Sequence, residues 1–230
     1  MTLPQGSEKV SAVRDMFDTI APRYDLLNRL MTFRLDVGWR RHAVEWLDLA
    51  PGSSVLDIAC GTGDLCRDLY QAGYRPVGVD LSFGMLQNAR TAAPLVEADA
   101  LRLPIGDRMV DGAVSGFALR NFVALPPMVA ELARVLRPGG RISLLEVATP
   151  PNPVMRAGHA VYFGHVVPQV GGLLSDRAAY RYLPRSVAYL PPLPDLLTLI
   201  EDAGFGAVRH RLMTGGIAQI ITATRRVESV

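Results

Sequence analysis

Apolar positions repeat with two different periods along this chain of 230 residues, and the change of period divides it. Val13, Met16, Phe17 and Ile20 recur at helical spacing within residues 12–33. Pro22 interrupts that pattern, so two short helices are expected there. Residues 1–11, with Pro4, Gly6 and Ser7, read as a disordered arm. Residues 36–48 place Trp39, Ala43, Trp46 and Leu47 on one helix face, and Pro51-Gly52 ends the segment. Short apolar runs then take over at 54–60, 76–80, 95–99, 110–117 and 141–147, each suited to a buried strand. Helical segments fall between them at 64–72, 82–91 and 125–136, punctuated by Gly73 and by Pro138-Gly139-Gly140.

Strands alternating with helices predict an α/β domain with a Rossmann-like, doubly wound, mostly parallel sheet. Residues 150–194 are proline-rich and break the rhythm, so they read as a helical insertion over the sheet's carboxyl edge. A helix at 195–204 and an antiparallel hairpin, 205–213 with 216–225, complete seven strands. The expectation is one domain: an amino-terminal helical segment (1–50), a core (51–149), the insertion (150–194), and the closing helix and hairpin (195–230).

Composition narrows the function. Hydrophobic residues make up 49% and charged residues 20%, ample for a packed core. With 24 basic against 22 acidic residues the net charge is only +2, so no nucleic-acid footprint is expected. Mean hydropathy is +0.19, slightly greasy for a soluble protein. Cys60 and Cys66 are not spaced for metal binding and read as buried free thiols in a reducing cytoplasm. Residues 1–16 are polar and charged, so no signal peptide is expected, and no stretch approaches eighteen continuous apolar residues, so no membrane-spanning helix is expected.

The strongest chemical signal is Val55-Leu-Asp-Ile-Ala-Cys-Gly-Thr-Gly-Asp64, at a strand-to-helix turn where doubly wound folds bind ligands. Gly61 and Gly63 permit a tight turn and close approach of backbone to ligand, although glycines alone also suit a plain turn. A nicotinamide site would want a third glycine where Cys66 stands. Asp80 ends the next strand, where a carboxylate can accept both ribose hydroxyls of a nucleoside, and Asp99-Ala100 follows the third strand near an adenine position. Asp57, inside a buried strand, is suited to orienting the turn through backbone N–H groups.

At these residues the chain resembles the class I S-adenosylmethionine-dependent methyltransferases. The resemblance rests on the 56–64 run, Val79-Asp-Leu-Ser82, Glu97-Ala-Asp-Ala-Leu-Arg-Leu-Pro104 and Arg134-Val-Leu-Arg-Pro-Gly-Gly140. It implies S-adenosylmethionine as cofactor, with S-adenosylhomocysteine as product and no metal. It also implies a cofactor site of Asp57, Ala59, Gly61, Thr62, Gly63, Asp80, Leu81, Asp99, Ala100 and Gly116.

A second resemblance covers nearly the whole chain, to the menaquinone/ubiquinone biosynthesis C-methyltransferases. It is carried by residues 17–28 (Phe-Asp-Thr-Ile-Ala-Pro-Arg-Tyr-Asp-Leu-Leu-Asn), Trp39-Arg40-Arg41, Phe117-Ala-Leu-Arg-Asn121 and Ala179-Tyr-Arg-Tyr-Leu-Pro-Arg-Ser186. The implied reaction is C-methylation of a reduced prenylated quinol, demethylmenaquinol foremost, with Tyr24, Arg120 and Asn121 lining the quinol site. In that role Arg120 stabilises the phenolate and Asn121 orients the hydroxyl. The chain departs from the family at Gly116, where a Ser is usual, at Thr149-Pro150, and at 218–222, where a His-x-Gly run is absent. These departures leave room for another phenolic acceptor.

His159 and His165, six residues apart, do not match a metal pair on one helix face, though one could serve as a base. The apolar stretch from His159 to Leu174 reads as core or as a channel for a prenyl tail, with Leu173 and Leu174 at its mouth. The reading places the protein in the cytoplasm, with peripheral contact at the inner membrane face and a homodimer both left open. The rivals are a methyltransferase for soluble phenols, a nicotinamide dehydrogenase and a non-catalytic cofactor sensor.

Overall fold

The computed structural model describes residues 5–167, 169, 182 and 185–227. Seven strands form one sheet in the order β3-β2-β1-β4-β5-β7-β6. The strands are β1 (Ser54–Ile58), β2 (Arg75–Asp80), β3 (Leu95–Glu97), β4 (Val110–Gly116), β5 (Leu136–Val147), β6 (Phe205–Met213) and β7 (Ala218–Arg225). The first five pair in parallel, and β7 runs antiparallel to both β5 and β6. The order reverses between β1 and β4, which opens a crevice beyond their carboxyl ends.

Helices α4 (Asp64–Gln71), α5 (Phe83–Gln87) and α6 (Leu125–Val135) connect the parallel strands. Ser82 caps α5 by accepting from the amide of Met85 at 3.1 Å. The largest apolar cluster joins Leu56, Ile58, Met128, Leu132, Ile142 and Phe205, so the sheet and α6 share one core. Helix α8 (Leu193–Asp202) adds Leu196 and Ile200 to it.

The amino-terminal expectation needs correction. Residues 1–11 were expected as a disordered arm, yet α1 starts at Gly6 and runs to Ile20. The cause is Lys9, a polar residue that reads as solvated but is buried. Its ammonium donates to the carbonyls of Arg120 at 3.0 Å and Phe122 at 2.7 Å, and lies 3.6 Å from the centre of the Tyr189 ring. Pro22 does divide the segment, through a 3₁₀ turn at Ala21–Arg23 that leads into α2 (Tyr24–Met31). Asp18 holds the far end of α1 by accepting from Ser82 Oγ at 2.5 Å and the Gly84 amide at 2.8 Å.

Helix α3 (Leu35–Glu45) lies over the first βα turn. The buried Arg40 guanidinium bonds Asp36, Asp64 at 3.1 Å and Asp68 at 3.0 Å, joining α3 to α4. Strand β5 starts at Leu136, five residues earlier than expected, because Pro138-Gly139-Gly140 lies within an irregular part of the strand rather than before it. In the insertion, α7 (Pro153–Val161) is followed by a π-helical turn, Tyr162–Val166, and a 3₁₀ turn, Val187–Tyr189. Leu173, Leu174 and most of the 179–186 run lie outside the described residues.

Candidate active site

The turn after β1 is built for close backbone approach. Ala59, Gly61 and Gly63 all have φ between 54° and 79°. At Gly63 a Cβ would sit 2.6 Å from Thr91 Cγ2, so only glycine fits. At Gly61 a Cβ would instead point into the crevice, with only Tyr24 Cε1 near, at 4.0 Å. The glycine there leaves that side of the backbone open to a ligand.

Asp80 braces this turn. Its carboxylate accepts from the Gly61 amide at 2.7 Å and the Ser82 amide at 2.8 Å. Burial pushes its pKa above the usual carboxylate range. A carboxylate has about four acceptor positions, so these amides do not use all of its capacity. Asp57 is fully buried and accepts from the Cys66 amide at 3.0 Å. Its Oδ1 meets no hydrogen-bond partner among the described residues, and burial pushes the group up to about 7. Thr62 donates to Asp25 at 2.5 Å, which ties the turn to α2.

Two cavities open beyond the strand ends. The smaller, about 120 Å³, is bordered by Asp80, Leu81, Asp99 and Ala100 and covered by Val13 and Phe17 of α1. The larger, about 670 Å³, lies within the size range of small-molecule pockets and is bordered by Asn28, Trp39, Thr62, Arg120, His159 and Phe163. Tyr24, Ala59, Gly61, Gly116 and Phe117 border both, so the cavities meet there. The sequence-selected residues therefore gather on one crevice. Asp57, though fully buried, borders the larger cavity at its floor, and Gly63 caps the helix below.

Arg120 departs most from the expected arrangement. It is buried and ion-paired through Nη1 to Glu146, a fully buried carboxylate at the end of β5. Its Nε donates to Ser186 at 3.1 Å. Arg120 is thus first a structural cation, with only its remaining edge able to face the cavity. Asn121 accepts from Tyr182 at 3.3 Å and borders the smaller cavity, not the larger. Burial pushes Tyr182 up to about 12 and also raises Tyr24, whose hydroxyl partners Asn28, so both phenols stay protonated at neutral pH.

Sequence reasoning gave no role to Lys9, Glu146 or Ser186, because a lone polar residue carries no periodicity signal. His159 packs against Phe163 with the rings tilted and their centres 4.4 Å apart. Its Nε2 is buried without a partner among the described residues, and burial holds its pKa below the usual value. His165 is exposed. Cys60 and Cys66 are buried free thiols, as expected.

The sequence profile of the ubiE/COQ5 methyltransferase family matches residues 5–225. A ubiquinone/menaquinone biosynthesis C-methyltransferase from Syntrophotalea carbinolica is 43% identical over 224 residues, 92% of this chain and 93% of that one. A demethylmenaquinone methyltransferase from Thermus thermophilus is 44% identical over 221 residues, 91% of this chain and 100% of that one. Among solved structures, a SAM-dependent methyltransferase from Thermotoga maritima, described as a possible histamine N-methyltransferase, superposes with a TM-score of 0.68. It is 16% identical and the match covers 93% of this chain and 100% of that one, which shows a shared fold.

Proposed function

The chain belongs to the ubiE/COQ5 methyltransferase family, and from that premise we propose that it methylates a ring carbon of a prenylated quinol, demethylmenaquinol foremost, using S-adenosylmethionine. One observation carries the reading. A small cleft with a carboxylate at the end of β2 meets a larger cavity, mostly apolar in its lining, at Tyr24, Ala59, Gly61, Gly116 and Phe117. Such a junction suits methyl transfer between a nucleoside-bearing donor and a lipophilic acceptor held in line.

The residues present fit that cofactor. Asp80 would accept the ribose hydroxyls, while Leu81, Asp99 and Ala100 would border the adenine. The backbone from Ala59 to Gly63 and Gly116 would border the methionine part, and the buried, unpartnered Oδ1 of Asp57 suits a cationic ammonium group. When bound, S-adenosylmethionine supplies a methyl group already activated on a sulfonium, so the chemistry calls for no metal.

Asp57 makes binding pH-dependent. Its raised pKa, about 7, means the free protein holds a proton there that ordinary carboxylates have lost. By itself the group therefore costs stability as pH rises from the usual carboxylate range to about 7, and the cost stays constant above that. A bound cation favours the charged form, so cofactor binding near pH 6 should release up to about one proton per site. Calorimetry in two buffers of different ionisation enthalpy measures this. Release should vanish in Asp57→Asn, and no release in the wild type would refute the pairing.

The quinol must lose a hydroxyl proton for its ring carbon to become nucleophilic. With Arg120 committed to Glu146 and the phenols kept protonated, neutral His159 is the acceptor on the wall of the larger cavity. After methyl transfer the ring proton is lost to solvent and the oxygen takes its proton back from His159, which restores the aromatic quinol and the neutral imidazole. His159→Gln should lower kcat by about a hundredfold with cofactor affinity unchanged. Steady-state kinetics beside calorimetry test it, and an unaltered kcat rejects the assignment. A soluble phenolic acceptor is the alternative, and dependence of rate on prenyl-tail length distinguishes the two.

A further inference from the structure

We infer that α2, the turn after it and α7 form a docking surface for an anionic lipid bilayer, set around the mouth of the larger cavity. The inference rests on the lipophilic-acceptor reading, for which this surface would be the entry side. Among the large apolar side chains left exposed, Leu26, Leu30 and Phe33 belong to α2 and its turn, and Val154, Met155 and Val161 to α7. Phe33, Met155 and Tyr162 border the cavity itself.

These elements form one face. The Phe33 and Tyr162 rings lie 5.7 Å apart, and the Tyr162 hydroxyl donates to the Met31 carbonyl at 2.9 Å. Scattered apolar residues are ordinary on a surface, but a cluster framing a cavity marks an interaction site. The tip of the turn is also strained. Phe33 and Arg34 are consecutive non-glycine residues with φ of 51° and 64°, and the strained backbone holds out a Phe side chain that is 72% exposed.

Charge selects the occupant. Between residues 147 and 167 there is no Asp or Glu, and Arg156 stands exposed on α7. In the 23–36 segment the acids are turned inward, Asp25 to Thr62 and Asp36 to Arg40, while Arg34 is exposed. An apolar patch flanked by outward arginines matches an anionic lipid surface, where each arginine contributes about 1 kcal/mol, or roughly fivefold in partitioning.

The test uses co-sedimentation of the full chain with vesicles of phosphatidylethanolamine and phosphatidylglycerol in equal parts, beside vesicles of phosphatidylcholine. The wild type should sediment with the anionic vesicles only. Arg34→Glu should weaken that at least about fivefold. The double variant Leu26→Asp, Val154→Asp should lose it. Both residues lie outside the cavities, at 64% and 79% exposure, so folding, cofactor affinity and methylation of a short-tailed quinol in detergent should be unchanged.

Absence of wild-type sedimentation, or equal sedimentation of the double variant, would overturn the inference. So would loss of a dimer in the double variant with vesicle binding intact, which would assign the face to a second copy. Vesicle binding that survives while no quinol is methylated would instead count against the acceptor reading.

Discussion

Asp80→Ala should lower affinity for S-adenosylmethionine by at least about a hundredfold, which makes it the most damaging single change to the proposed cofactor site. Two effects add. The carboxylate that would accept the ribose hydroxyls is lost, and a hydrogen bond to a charged group contributes about 1.5–3 kcal/mol. The Gly61 and Ser82 amides also lose the acceptor that they reach at 2.7 and 2.8 Å, so the turn after β1 is no longer braced. Asp80→Asn separates the effects, since an amide oxygen can still brace one N–H group. Calorimetric titration should rank wild type above Asn above Ala. Wild-type affinity in Asp80→Ala would remove the nucleoside assignment.

Glu146→Ala should produce the largest loss of stability. It leaves the Arg120 guanidinium buried without its carboxylate, a change that costs about 3–5 kcal/mol. For a domain of this size that corresponds to a fall in Tm on the order of 10 °C. Arg120→Ala should be nearly as damaging, because it strands Glu146, which is 0% exposed. From sequence alone, Arg120 reads as a substrate residue that stabilises the phenolate. The buried pair changes that expectation. Replacing both partners, Arg120→Met with Glu146→Leu, should recover most of the stability, since a well-packed apolar pair of similar volume is often neutral. Thermal melts of the three variants decide the matter. A Tm for Glu146→Ala within a degree or two of wild type would mean the pair is not what holds β5 to the loop after β4.

The core was legible because its signals are periodic or local. Alternating apolar runs and turn residues gave all seven strands, and Ser82 gave the start of α5. The acids of the proposed nucleoside site could be placed because each falls at or near the carboxyl end of a strand. What could not be read were contacts between distant polar residues. Lys9 sits 111 residues from Arg120, whose carbonyl it holds, and Arg120 sits 66 residues from Ser186. Neither pairing leaves a local pattern, and the polar surroundings of Lys9 imitate a solvated arm. The exposed apolar face of α2 was hidden for a related reason. Leu26 and Leu30 show the spacing of core residues, and only the fold shows that the core lies along the neighbouring stripe, at Leu27 and Met31.

The central claim is the reaction itself, and its most direct test is transfer of the labelled methyl group of S-adenosylmethionine to demethylmenaquinol kept reduced with dithionite. The account predicts label in a lipid-extractable product, carried on a ring carbon and formed faster with prenylated than with tailless acceptor. Tight cofactor binding with no label in the quinol, under conditions where the substrate stays reduced, would contradict it and point to a different phenolic acceptor.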